Sequence, residues 1–108
     1  KRELIDADDL ADACVFLMLN YDDGGMVNVG SSEEVSIKEL AHIMAEVIGY
    51  KGEVSFDSTR PDGTPRKIMN NDKISRMGWS ASTAISDGLK KMYHWWIDNH
   101  KSKIKFFL

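Results

Sequence analysis

The sequence is poor in cysteine, in proline and in long apolar runs, and each scarcity removes a class of protein. Cys14 is the one cysteine among 108 residues, so no internal disulfide can form. It stands in an apolar helical pattern and reads as a buried, inert thiol. Its solitude fits a reducing compartment, and a cytoplasmic location is expected. No apolar run approaches the roughly 18 residues of a membrane span, and no signal-peptide layout opens the sequence. A cationic excess is missing as well. The net charge is −3, which weighs against nucleic acid as a partner. The first residue is Lys1 rather than methionine, which reads as a fragment or a processed or trimmed chain.

Chemistry-bearing motifs are equally sparse. There is no Gly-x-Gly-x-x-Gly fingerprint, no Walker loop and no Gly-x-Ser-x-Gly elbow. His42, His94 and His100 lack ligand-like neighbours and read as surface or core-edge residues, so no metal site is expected. The acidic doublets read as a helix cap (Asp8-Asp9), a turn (Asp22-Asp23) and a solvated loop (Glu33-Glu34). None has calcium-loop spacing.

What is present is an ordinary globular composition, 43% hydrophobic and 29% charged, enough for one small domain with a core. Apolar residues recur at helical spacing from Leu10 through Ala13, Cys14, Leu17 and Met18 to Tyr21. They recur again from Ile37 to Ile48, behind the capping box Ser36-x-x-Glu39 and ahead of Gly49. A third long helix is predicted over 82–99, with Ile85, Leu89, Met92, Tyr93 and Trp96 on its apolar stripe. Trp95 points elsewhere and is the better candidate for touching a partner. A short helix is predicted from an Asp72 cap to Gly78, with Trp79 anchored in the core. Strands are predicted at residues 2–7, 26–30 and 53–57. The order implies an α/β fold: a small three-stranded, largely parallel sheet with three long helices. Such a sheet has two edges to cover or pair. Residues 101–108 turn basic and then apolar, and are expected to fray or to dock on a neighbour.

Both prolines lie in one stretch, Arg60-Pro61-Asp62-Gly63-Thr64-Pro65-Arg66-Lys67, with three cations and one carboxylate. Two readings fit. One is a solvated turn with scattered charge, which the physics alone favours. The other is a stiff cationic loop: Pro61 pre-sets a turn, and an arginine fork on a held backbone suits phosphate or carboxylate.

Several segments taken together carry a resemblance. They are Arg2-Glu3, Asp8-Asp9-Leu10-Ala11-Asp12-Ala13-Cys14, Asn28-Val29-Gly30, Ser36-Ile37-Lys38-Glu39-Leu40-Ala41 and Lys51-Gly52-Glu53-Val54. To these are added Asp57, Pro61-Asp62-Gly63-Thr64-Pro65-Arg66-Lys67, Met77-Gly78-Trp79, Gly88-Leu89 and Tyr93. The chain resembles the C-terminal part of the GDP-L-fucose synthase family, within the extended short-chain dehydrogenases/reductases. The resemblance implies the substrate-binding subdomain over residues 1–99, followed by a tail at 100–108, without the Rossmann half. It implies a GDP-sugar or other nucleotide-sugar as partner, with Arg2, Asp62, Arg66 and Lys67 as substrate contacts. It implies NADP as the cofactor of the full-length enzymes, with no cofactor site on this chain. The implied reaction of the full enzyme is epimerisation of GDP-4-keto-6-deoxy-mannose and NADPH reduction to GDP-fucose. None of Tyr21, Tyr50 and Tyr93 is followed four residues on by lysine, so no catalytic residue is assigned and the chain is not expected to be competent alone. The sequence departs from the family at Leu4-Ile5-Asp6-Ala7, where the pattern is Phe-Leu-His-Val. The alternative is a stand-alone nucleotide-binding or assembly module, forming a homodimer through its sheet edge or apolar face.

Overall fold

The structure, a computed structural model, describes residues 1–100. The tail at 101–108 lies outside the described residues. The elements run β1 (Arg2–Glu3), α1 (Ala7–Asn20), β2 (Glu34–Val35), α2 (Ile37–Ile48), α3 (Asp72–Arg76) and α4 (Ile85–Asn99). The three long helices fall where apolar periodicity places them, with α4 starting three residues later than expected. In α2 the capping box forms in full. Ser36 Oγ accepts from Glu39 N at 3.0 Å and Glu39 Oε2 accepts from Ser36 N at 2.7 Å. Gly49 closes this helix at φ +75°, a left-handed conformation in which a side chain is disfavoured. Asn71, not Asp72, is the N-cap of α3.

The sheet is not the one expected. β1 pairs antiparallel with β2, Arg2 opposite Val35 and Glu3 opposite Glu34. On its other side, one parallel bridge joins Arg2 to Lys67. The three-stranded, largely parallel sheet is therefore corrected to a two-stranded antiparallel one. The reason is that a strand needs a neighbouring backbone as well as a suitable sequence. Residues 26–30 and 53–57 form no ladder among the described residues. Val27 and Val29 still turn their side chains onto the core, whereas Phe56 is 51% exposed. Glu34–Val35, within a stretch read as solvated loop, takes the place beside β1 instead.

The core gathers Ala13 from α1, Ile74 from α3 and Trp79, with Ile5, Phe16, Leu17, Val27, Val29 and Ala81 packed around them. On α1 the inward face runs Asp9, Ala13, Phe16, Leu17, one residue out of phase with the predicted stripe. Cys14 is consequently exposed, which corrects its reading as a buried thiol. Trp79 is the anchor the sequence suggests: its indole N–H donates to Asp12 Oδ2 at 2.9 Å. Tyr93 is half-buried, but Trp96 is exposed and stacks on His100 with ring centroids 5.5 Å apart.

A loop held from both sides of β1

The stretch from residue 57 to 67 leaves and returns without regular structure, so its shape depends on what grips it. At the outgoing end, Asp57 accepts from both the backbone N–H and the hydroxyl of Thr59. These bonds hold the Asp57 carboxyl below its ordinary value. Arg60 sits 3.8 Å from the same carboxylate. At the returning end the grip is β1. Arg2 Nη1 donates to Thr64 O at 2.6 Å and to Lys1 O at 2.9 Å, and Lys67 N donates to Lys1 O at 3.0 Å. The Arg2 guanidinium lies so close that a Cβ on Gly63 would sit 3.3 Å from Nη2.

The four residues singled out from sequence are thus placed differently. Arg2 and Lys67 are brought together through backbone pairing. Asp62 is exposed beside Gly63 and makes no hydrogen bond or ion pair among the described residues. Arg66 turns to Glu34, with Nε–Oε1 at 2.7 Å and Nη2–Oε2 at 3.1 Å. This two-pronged bond draws the Glu34 carboxyl below the usual range, chiefly through the Arg66 hydrogen bond and then its charge.

Sequence reasoning missed three carboxylates that hold this architecture. Glu34 pins Arg66. Glu33 Oε2 accepts the Ile85 N–H that opens α4, at 3.0 Å. Buried Asp9 accepts from Ser82 Oγ at 3.0 Å and Thr83 N at 2.9 Å. Their partners lie between 32 and 74 residues away, and no local spacing signals them.

Two grooves flank the loop and helices. A polar one of about 490 Å³ is lined by Glu3, Ser32, Glu34, Arg66, Asn71 and neighbours. An apolar one of about 550 Å³ runs between residues 4–8 and α4, lined by Leu4, Ile5, Ile85, Leu89, Met92 and Trp95. At its rim Lys91 Nζ bridges Asp6 and Asp8 at 2.6 and 2.7 Å. Among the described residues, no group of three or more His, Cys, Asp or Glu side chains is placed to hold a metal, and no helix is long and apolar enough to cross a membrane.

No family model matches the chain. Individual relatives do. It is 51% identical over 98 residues to a putative GDP-L-fucose synthase of Arabidopsis thaliana, covering 91% of this chain and 30% of that protein. Among solved structures, a GDP-6-OMe-4-keto-L-xylo-heptose reductase from Campylobacter jejuni superposes with TM-score 0.81 at 34% identity, over 91% of this chain and 31% of that one. A GDP-mannoheptose C4 reductase from the same organism, with NADP bound, gives 0.78 at 34% identity, over 88% and 31%. These likenesses place the chain with the α/β reductases and synthases named for GDP-linked sugars. Within that class it is a homologue of the C-terminal portion of GDP-L-fucose synthase. The chain spans about 30% of the length of the curated relatives it matches.

Proposed function

We propose that this chain is the part of a GDP-L-fucose-synthase-like epimerase/reductase that holds the nucleotide-sugar. The observation that carries the reading is the loop at 60–67. It is the most specific segment of the family pattern, and it is clamped to β1 at Thr64 and Lys67. Its cations are therefore presented on a held backbone. A diphosphate near Arg2 and Lys67 would gain charge-assisted hydrogen bonds. Asp62, exposed beside Gly63, could accept from the adjacent N–H donors of a guanine edge. Arg66 braces the loop against Glu34 through Nε and Nη2, and its remaining Nη1 donors could still reach a phosphate.

Proton and hydride transfer are not assigned to any residue here, since no tyrosine has a lysine four positions on. The resemblance puts the NADP site of the full-length enzymes outside this chain, and one local feature supports that reading. The adjacent glycines, Gly24 and Gly25, lead into extended chain rather than into a helix N-terminus, so no cradle for a pyrophosphate forms there. In the whole protein, the proposed reaction is epimerisation and NADPH reduction of the GDP-4-keto sugar.

Calorimetric titration with GDP, UDP and ADP tests the proposal. GDP is expected to bind in preference, and Lys67→Ala to weaken it by about 1–3 kcal/mol, the scale of a lost charged hydrogen bond. A folded sample that gives no heat with GDP overturns it.

A further inference from the structure

Neighbouring residues on a strand point to opposite faces, and on β1 both faces reach the same loop. Arg2 takes Thr64 on one side. On the other, the Glu3 carboxylate ties two segments distant in sequence: Oε2 accepts from Ser32 N at 2.9 Å and Oε1 from Met69 N at 3.1 Å. Lys67 lies between the two anchored points, at Thr64 and Met69.

The surroundings of Glu3 are built for this carboxylate. Gly30 is buried, and a Cβ there would stand 2.2 Å from Glu3 Oε1 and 2.7 Å from its Cδ. Ser32 aims its N–H at Glu3 from φ +63°, the one left-handed non-glycine backbone among the described residues. That conformation is unfavourable for serine and is sustained only by surrounding bonds. Asn71 supplies one, donating from Nδ2 to Ser32 Oγ at 2.8 Å.

We propose that Glu3 is a positioning residue for the nucleotide loop, fixing Lys67 through the Met69 amide and holding the loop against residues 30–32. This rests on the reading that the loop holds a nucleotide. Two variants remove the bridge by different routes. Glu3→Gln keeps the size and loses the charge. Gly30→Ala keeps the charge and displaces the carboxylate. Amide hydrogen exchange and GDP titration are measured on both, and on each combined with Lys67→Ala.

The expected result is exchange faster by about tenfold or more at Ser32 and Met69, no change in α4, and GDP affinity down about tenfold. Lys67→Ala should then cost less in either background than in the parent, because the lysine is already misplaced. A purely structural role would not produce that coupling. If Glu3→Gln fails to fold, Gly30→Ala decides alone. Unchanged exchange, or faster exchange with parental GDP affinity and full additivity, overturns the positioning role while leaving the nucleotide reading intact. Failure of the parent to bind GDP overturns both.

Discussion

Asp9 is a buried carboxylate on α1, and both its oxygens are directed at the segment entering α4. The Thr83 backbone N–H, with the Ser82 hydroxyl and lesser bonds, outweighs the cost of burial and holds its carboxyl below the ordinary value. Glu34 and Glu39 are held low too, by Arg66 and by the Ser36 backbone N–H respectively. With depressed folded-state values, the unfolded chain takes up protons first as pH falls. The stability these groups supply is therefore full above about pH 5 and is lost as pH drops through their folded-state values. Urea midpoints measured from pH 7 to pH 2 should fall steeply at the acid end. Asp9→Asn should lower the midpoint at pH 7 and flatten the acid slope by up to about one proton. An unaltered slope would show that Asp9 does not couple to folding.

Among the elements, α2 depends most visibly on its own sequence. Its capping box is reciprocal, so Ser36→Ala should cost about 1 kcal/mol. Glu39→Ala added to it should cost less than it does alone, because one bond of the pair is already gone. Denaturant unfolding of the single and double variants checks this. The same element shows what could be read from the chain directly. Helix signals are local: a cap, a 3.6-residue period and a closing glycine sit within one stretch of sequence, and all three long helices were legible. The sheet was not. β1 and β2 are two residues each, far too short for an alternation signal. β1 meets β2 across about 30 residues of chain, and its Glu3 and Arg2 side chains bond partners 29 to 66 residues away. In the candidate site, the loop's composition and its tie to the family were legible in the Pro61-to-Lys67 run. What was not legible was that Glu34 would capture Arg66, because neither residue carries a local sign of the other.

At the scale of the whole molecule, the chain is flat. Its radius of gyration is 17.2 Å and its extents are 50 × 35 × 18 Å, against roughly 13 Å for a compact domain of 100 residues. Apolar side chains lie open on two faces. Val15, Met18 and Leu19 along α1 are 54–82% exposed, and Met92 and Trp95 over the groove are 65% and 60% exposed. Large faces of this kind mark interaction surfaces. β1 itself offers no free edge, since it is flanked by β2 on one side and by Lys67 on the other, so a sheet-edge homodimer would have to form on the outer edge of β2, which is unpaired among the described residues.

The ties that close the molecule also set the pace at which it forms. Asp6, Asp9 and Asp12 reach Lys91, Thr83 and Trp79 across 85, 74 and 67 residues. Contacts this distant require most of the chain to be ordered before they can be made, which slows folding and favours their late formation. A tie made after the barrier leaves the forward rate alone and acts as a brake on the reverse one. In stopped-flow chevrons, Lys91→Met should steepen neither arm, should leave the refolding rate nearly parental, and should raise the unfolding rate several-fold. A refolding rate that falls instead would place this lysine in the nucleus and make the closing of the two ends the first event rather than the last.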